Sequence, residues 1–217
     1  MKKQIITTLA GVAMVGLVQA GIITVANPSF EAQVLADGFN TSPTHATDGG
    51  YAIPTTPAGD GTITSWTESN AADHLGYVLN PADGLPQATD GNNVAWIQNN
   101  TISQNLTGLS ISNGDTITVT FDVWSQNAGN GSTLLVNFAG LGTQAASGVN
   151  LNGPAVGQSI TFTATSDLTT ADLSFRSTAG GNRYLLDNIV VIPEPATLSM
   201  IALFGGGLLV IRRKLMM

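Results

Sequence analysis

The sequence predicts an all-β body, an antiparallel β-sandwich, carried between two hydrophobic ends. Three observations predict it. Apolar and polar residues alternate in several stretches, Gly, Asn, Asp and Pro clusters separate those stretches, and no segment of 21–192 has the apolar spacing of a helix. Short strands punctuated this regularly pack as two antiparallel sheets or close into a barrel, and two sheets use all of them.

The first element is an address. Met1-Lys2-Lys3, the apolar run from Ile5 to Leu17 and the small-residue site Val18-Gln19-Ala20 form a signal peptide, residues 1–20, cut after Ala20. The run is too short to span a bilayer, which takes about 20 apolar residues. In the body, 37–62 is the least regular part, with Pro43, Pro54 and Pro57, and is expected to form long loops at one end of the sandwich. Residues 92–98 and 101–106 read as a hairpin joined through Asn99-Asn100, and the Asn113-Gly114-Asp115 turn opens the clearest strand, 115–124. There Ile117, Val119, Phe121 and Val123 share one face, and Thr116, Thr118, Thr120, Asp122 and Trp124 the other. Weaker alternation marks strands at 132–139, 158–164, 171–177 and 184–192. No internal period or linker divides 21–192, so it reads as one domain.

The last element, 193–217, is Pro193-Glu194-Pro195, an uncharged run from Ala196 to Ile211, and Arg212-Arg213-Lys214. Sixteen helical residues reach roughly 24 Å, short of a hydrocarbon core of about 30 Å, so the helix is a marginal membrane span. Lys2, Lys3 and the C-terminal basic cluster all favour the cytoplasmic side, which leaves the body on the far side.

Charge and composition exclude whole classes of function. Between 21 and 192 only Arg176 and Arg183 face thirteen carboxylates, a net charge of −11. Such a surface cannot neutralise a run of phosphates, so nucleic acid is not a partner. The absence of cysteine removes disulfides, thiolate metal sites and thiol nucleophiles. His45 and His74 are far apart, and no HExxH, GxSxG, phosphate-loop or EF-hand spacing occurs. The protein is therefore expected not to be an enzyme, although carboxylate pairs for glycoside hydrolysis are judged by their separation in space.

The Pro-Glu-Pro motif, short hydrophobic helix and basic end, in that order, resemble the PEP-CTERM sorting tail of Gram-negative bacteria. That resemblance implies recognition by an exosortase-type membrane protease, with Pro193, Glu194, Pro195, Arg212, Arg213 and Lys214 as the sorting motif. It also implies inner-membrane tethering, then transfer to the cell surface or extracellular matrix. Pro193 and Pro195 are expected to hold the motif extended and outside any sheet or helix.

The body has its own series of motifs: Asn27-Pro28-Ser29-Phe30-Glu31, Ser65-Trp66-Thr67, 90–96 (Asp-Gly-Asn-Asn-Val-Ala-Trp), 102–106 (Ile-Ser-Gln-Asn-Leu), 116–123 and Leu186-Asp187-Asn188-Ile189. In this order they resemble the galactose-binding-like jelly rolls of many carbohydrate-binding modules, although members often carry Gly-Trp where this chain has Ser65-Trp66. The resemblance implies a jelly roll over 21–192 and a structural calcium ion at the sandwich rim. Its side-chain ligands would be Glu31 and Asp187. By parity Asp187 lies on the face of Ile189 and Val191, so an inward carboxylate needs a metal, an arginine such as Arg176 or Arg183, or several amide donors.

Trp124 and Asp122, on the polar face of the strongest strand, with Asn137 and Thr163 as expected neighbours, are candidate sugar-binding residues. An exposed ring stacks on a sugar while amides and carboxylates meet its hydroxyls. Trp66, Trp96 and Tyr77 are further candidates. The function expected is an exported, non-catalytic surface or polysaccharide-matrix protein that binds carbohydrate. The alternatives are a purely structural matrix component without a ligand pocket, or a small polysaccharide-active enzyme.

Overall fold

The computed structural model describes residues 22–32, 63–69, 76–79, 88–97, 100–126, 133–146, 155–178 and 183–194. The signal peptide, the 37–62 segment, both histidines and the tail from Pro195 onward lie outside the described residues, and so do Arg212, Arg213 and Lys214.

Ten strands form among the described residues: β1 (Thr67–Glu68), β2 (Gly76–Leu79), β3 (Val94–Ile97), β4 (Thr101–Ile111), β5 (Thr116–Gln126), β6 (Leu134–Phe138), β7 (Gly142–Ala145), β8 (Ala155–Thr163), β9 (Leu168–Ser177) and β10 (Arg183–Glu194). They make two five-stranded sheets, ordered β1-β4-β9-β6-β7 and β2-β3-β10-β5-β8, and every pairing is antiparallel. No helix occurs among the described residues. The body is thus an antiparallel β-sandwich in which the chain passes repeatedly between the sheets.

The core lies between the sheets, where the inward rows of β5, β9, β6 and β10 meet. Ile117, Val119, Phe121 and Val123 are buried there, as the alternation of β5 predicts. A chain of rings crosses it: Phe30 to Trp66 at 5.8 Å, Trp66 to Phe175 at 6.2 Å and Phe175 edge-on to Phe121 at 5.1 Å. Fully burying each such ring contributes about 1.5–3 kcal/mol.

Two strands keep their apolar residues inward by changing parity at a bulge. In β4 the buried set Ile102, Gln104, Leu106 becomes Leu109, Ile111 across an irregularity between Thr107 and Ile111, where Gly108 takes φ +68°. In β10 Tyr184 and Leu186 give way to Ile189 and Val191 across a bulge between Asp187 and Val190, with Asn188 at φ +50°. The inserted residue corrects the expected parity of Asp187. It shares its face with Leu185, not with Ile189, and points away from the inter-sheet core.

Two further expectations are corrected. Residues 92–98 and 101–106 are not a hairpin: β3 pairs with β2 and β10, β4 pairs with β1 and β9, so 98–100 cross from one sheet to the other. Pro193 and Glu194 are not outside the sheet, because β10 continues through them opposite Ile117 and Thr116. The reason is directional. Val191 offers its carbonyl to Ile23 N (3.1 Å), away from β5, and Pro193, two residues on, faces the same way. Its missing N–H therefore removes no bond from the β5 ladder.

Candidate functional site

Two groups of side chains meet on the outer face of the second sheet. The first is apolar. Trp124 on β5 stands opposite Leu185 on β10, which stands opposite Trp96 on β3, so the three form one row across the sheet. With Val94 and Ala88 they make an apolar cluster separate from the main core. Tyr77 occupies the next register position, opposite Trp96.

The second group is acidic and sits one row further along. Asp122 and Asp187 are register partners on β5 and β10, and both are buried, at 5% and 3% exposure. Side by side, two carboxylates away from water require donors. Asp187 Oδ2 accepts from the backbone N–H of Thr89 (2.7 Å) and of Asp90 (2.9 Å), and Oδ1 from Asn188 N–H (2.8 Å). Asp122 Oδ1 accepts from Gly157 N–H (2.7 Å), and its Oδ2 from Asn188 Nδ2 (3.3 Å). Thr89 Oγ1 lies between them, 2.5 Å from Asp122 Oδ2 and 3.1 Å from Asp187 Oδ2.

These contacts follow from local backbone. The ladder between β5 and β8 is irregular between Phe121 and Val123, beside Gly157 at φ +74°, and the β10 bulge lies on the other side of β5. Asp122 thus binds both irregular neighbours of its strand at once. The loop over this face is held by the N-terminal segment as well. Glu31 Oε1 accepts from Asn92 N–H (2.8 Å) and Asn93 N–H (2.5 Å), and Ser29 Oγ donates to Asp90 Oδ2 at 2.6 Å. Gly91, at φ +81°, passes so close that a Cβ would collide with the Glu31 carboxyl.

The Asn27-Pro28-Ser29-Phe30-Glu31 motif is the turn that makes these placements. Asn27 Oδ1 accepts from Ala32 N–H (3.0 Å), Asn27 Nδ2 donates to Thr64 O (2.9 Å), and Trp66 Nε1 donates to Asn27 O (3.3 Å). Phe30 at φ +61° then enters the core while Ser29 and Glu31 reach the loop. Gln104 fixes the segment from below, bonding Ala26 N–H and O at 2.8 and 2.9 Å and Ser65 O at 2.8 Å.

Several expected site residues are placed differently. Trp124 is 9% exposed rather than an open platform, and it packs in the apolar cluster with Trp96, Leu185 and Val94. Asn137 is on β6 of the other sheet, half-buried, accepting from Thr143 Oγ1 at 3.0 Å. It cannot neighbour Asp122 or Trp124. Thr163 pairs with Thr116 at the far end of β5. Trp66 belongs to the main core and Trp96 to the outer row. Glu31 and Asp187 do converge on one loop, at its two ends, and no group of three His, Cys, Asp or Glu side chains gathers among the described residues. Thr89 is the residue sequence reasoning missed, and nothing in its surroundings marks it beyond the adjacent Asp-Gly turn.

The chain matches no family model, and no curated protein matches it. Among solved structures, the Stig cyclase Fisc from Fischerella sp. TAU, in complex with (3Z)-3-(1-methyl-2-pyrrolidinylidene)-3H-indole, is similar with a TM-score of 0.55 at 15% identity, over 81% of this chain and 98% of that one. The module TmCBM61, in complex with beta-1,4-galactotriose, gives 0.46 at 12% identity over 78% and 97%. The CBM22-1 xylan-binding domain of Paenibacillus barcinonensis Xyn10C gives 0.42 at 19% identity over 63% and 90%. The first of these shows a shared fold.

Burial pushes the Asp187 carboxyl up from 3.8 to about 6, while the N–H groups of Asp90, Thr89 and Asn188 and the Thr89 hydroxyl pull it down. A carboxyl whose pKa is raised by folding favours the fold when protonated, so its contribution falls as pH rises from about 4 to about 6 and is level above. Urea unfolding across that range should show this slope in the wild type and not in Asp187→Asn. Asp122→Ala, which strips acceptors from Gly157, Asn188 and Thr89 together, should cost about 3 kcal/mol in the same measurement at pH 7.

Proposed function

We propose that this protein is an exported, non-catalytic carbohydrate-binding sandwich of the cell surface or extracellular polysaccharide matrix. One observation carries the reading: Trp96, Leu185 and Trp124 form an aromatic-apolar row on the outer face of a sheet whose inner face already supplies the core. A face that needed only to be soluble would be polar. Indoles spent there suit the apolar faces of sugar rings, with polar groups beside them for hydroxyls. The order of motifs that resembles carbohydrate-binding modules supports the same reading.

Export and sorting complete the proposal. The signal peptide delivers the body, the tail tethers it to the inner membrane, and an exosortase-type protease releases it. The non-catalytic part of the reading is supported by Thr89, which fills the gap between the Asp122 and Asp187 carboxyls where a glycosidic oxygen would have to enter.

The burial of Trp124 and Asp122 favours a second reading, a structural matrix component with no ligand pocket. A glycan array separates the two. Under the leading reading the full chain binds a polysaccharide fragment, and Trp124→Ala abolishes binding while the circular dichroism spectrum stays β-rich. Silence on every glycan supports the structural role.

Calcium belongs to the proposal as a structural ion. Glu31 accepts its amide bonds through Oε1 and Asp187 mainly through Oδ2, so each carboxylate retains lone pairs for a hard cation. Glu31 and Asp187 hold the two ends of the 88–93 loop, with Asp122 the register partner of Asp187, and N–H and O–H groups donate to all three. A bound cation would offset that charge. Calcium added to chelator-treated protein should raise the melting temperature of the wild type and leave that of Glu31→Gln unchanged.

A further inference from the structure

The chain enters and leaves the sandwich at one point. Ile23 bridges Val191 in antiparallel register, which sets Ile22 beside Ile192 and sends the chain before Ile22 and the chain after Glu194 off the same edge. That edge belongs to the end of the sandwich that carries two short turns, 112–115 between β4 and β5 and 164–167 between β8 and β9, whereas the short crossing 98–100 lies at the other end. Glu194 stands opposite Thr116, the first residue after the Asn113-Gly114-Asp115 turn. The strand ends joined by 69–75, 127–133, 146–154 and 178–182 lie at the opposite end.

Three observations make this exit point more than a topological detail. The sheet is paired through Glu194 and the uncharged run begins at Ala196, so Pro195 alone separates folded body from hydrophobic segment, a tether of under about 8 Å. The large hydrophobic side chains exposed among the described residues are Ile22, at 72%, and Ile192, at 36%, and both flank the exit. The Trp96–Leu185–Trp124 row, by contrast, crosses β10 nine residues before Glu194, roughly 30 Å up the strand.

We propose that the tethered body is seated directly on the bilayer by its short-turn end, with Ile22 and Ile192 against the lipid and the tryptophan row held on the side away from the membrane. This rests on the reading of the tail as a membrane segment. The occupant of the apolar pair is a lipid surface rather than a second copy, because only three residues lie between Ile192 and the hydrophobic segment. With no spacer, the body cannot turn over. Asp115, Asp167 and Glu194 at the same end keep the seat shallow and disfavour anionic lipid.

The absence of cysteine makes the test direct. A fluorophore is placed on Asn113→Cys, at the short-turn end, or on Ala145→Cys, exposed on β7 toward the other end, in the full chain reconstituted into phosphatidylethanolamine vesicles with a minor phosphatidylglycerol fraction and an acceptor-labelled lipid. Energy transfer from position 113 should exceed that from 145 several-fold. A flexible Gly/Ser spacer of about ten residues between Glu194 and Pro195 should shrink the difference while the protein stays with the vesicles. Equal transfer from both positions, or a difference that the spacer leaves intact, overturns the seating. Protein recovered in the supernatant after carbonate extraction instead overturns the membrane reading on which it rests.

Discussion

Two buried carboxylates on neighbouring strands form the constraint around which this sandwich is arranged. Asp122 and Asp187 face each other in register, and backbone N–H groups, the Asn188 amide and the Thr89 hydroxyl donate to them. Desolvated anions are tolerated only where donors converge, so the surrounding backbone must bend to bring N–H groups to them. The bulge at Asn188, the glycine at 157 and the 88–93 loop each supply at least one. The N-terminal turn is then drawn in by Glu31 and Ser29, and Phe30 goes with it into the core. An acidic pair thus organises elements that are distant in sequence.

The fold was legible where the side-chain period survives along a strand. β5 alternates without interruption, and its four inward residues were identified from spacing alone. β6, β8, β9 and β10 were found with ends displaced by a few residues. β1, β2 and β7 were not, because two to four residues carry too little alternation to be seen. The bulges defeated the parity argument for Asp187, although Asn188 carries a signal for one, since asparagine enters the left-handed region more readily than most residues. The hairpin misreading of 92–106 has a plain cause: two adjacent strands with Asn-Asn between them look alike whether they pair or cross between layers.

Site residues were less legible than strands. Trp124 and Asp122 were assigned to the correct face, yet period says nothing of what covers a face, and both are buried. Chemistry alone puts Asn137 beside them, whereas sheet order sends β6 to the other layer. The Glu31 and Asp187 pair came from family resemblance, and their shared loop is a fact of three dimensions that no local spacing encodes.

Sheet order also bears on how the molecule reaches its final shape. β10 is the last strand in sequence, yet it lies in the middle of the second sheet, between β3 and β5, so that layer has no complete hydrogen-bond ladder until the closing residues are available. β9 similarly joins β4 to β6 in the other layer. Pairings this remote along the chain close slowly and late. A chain emerging from its N-terminus therefore remains unlatched for nearly its whole length, and the sandwich locks only when β10 arrives.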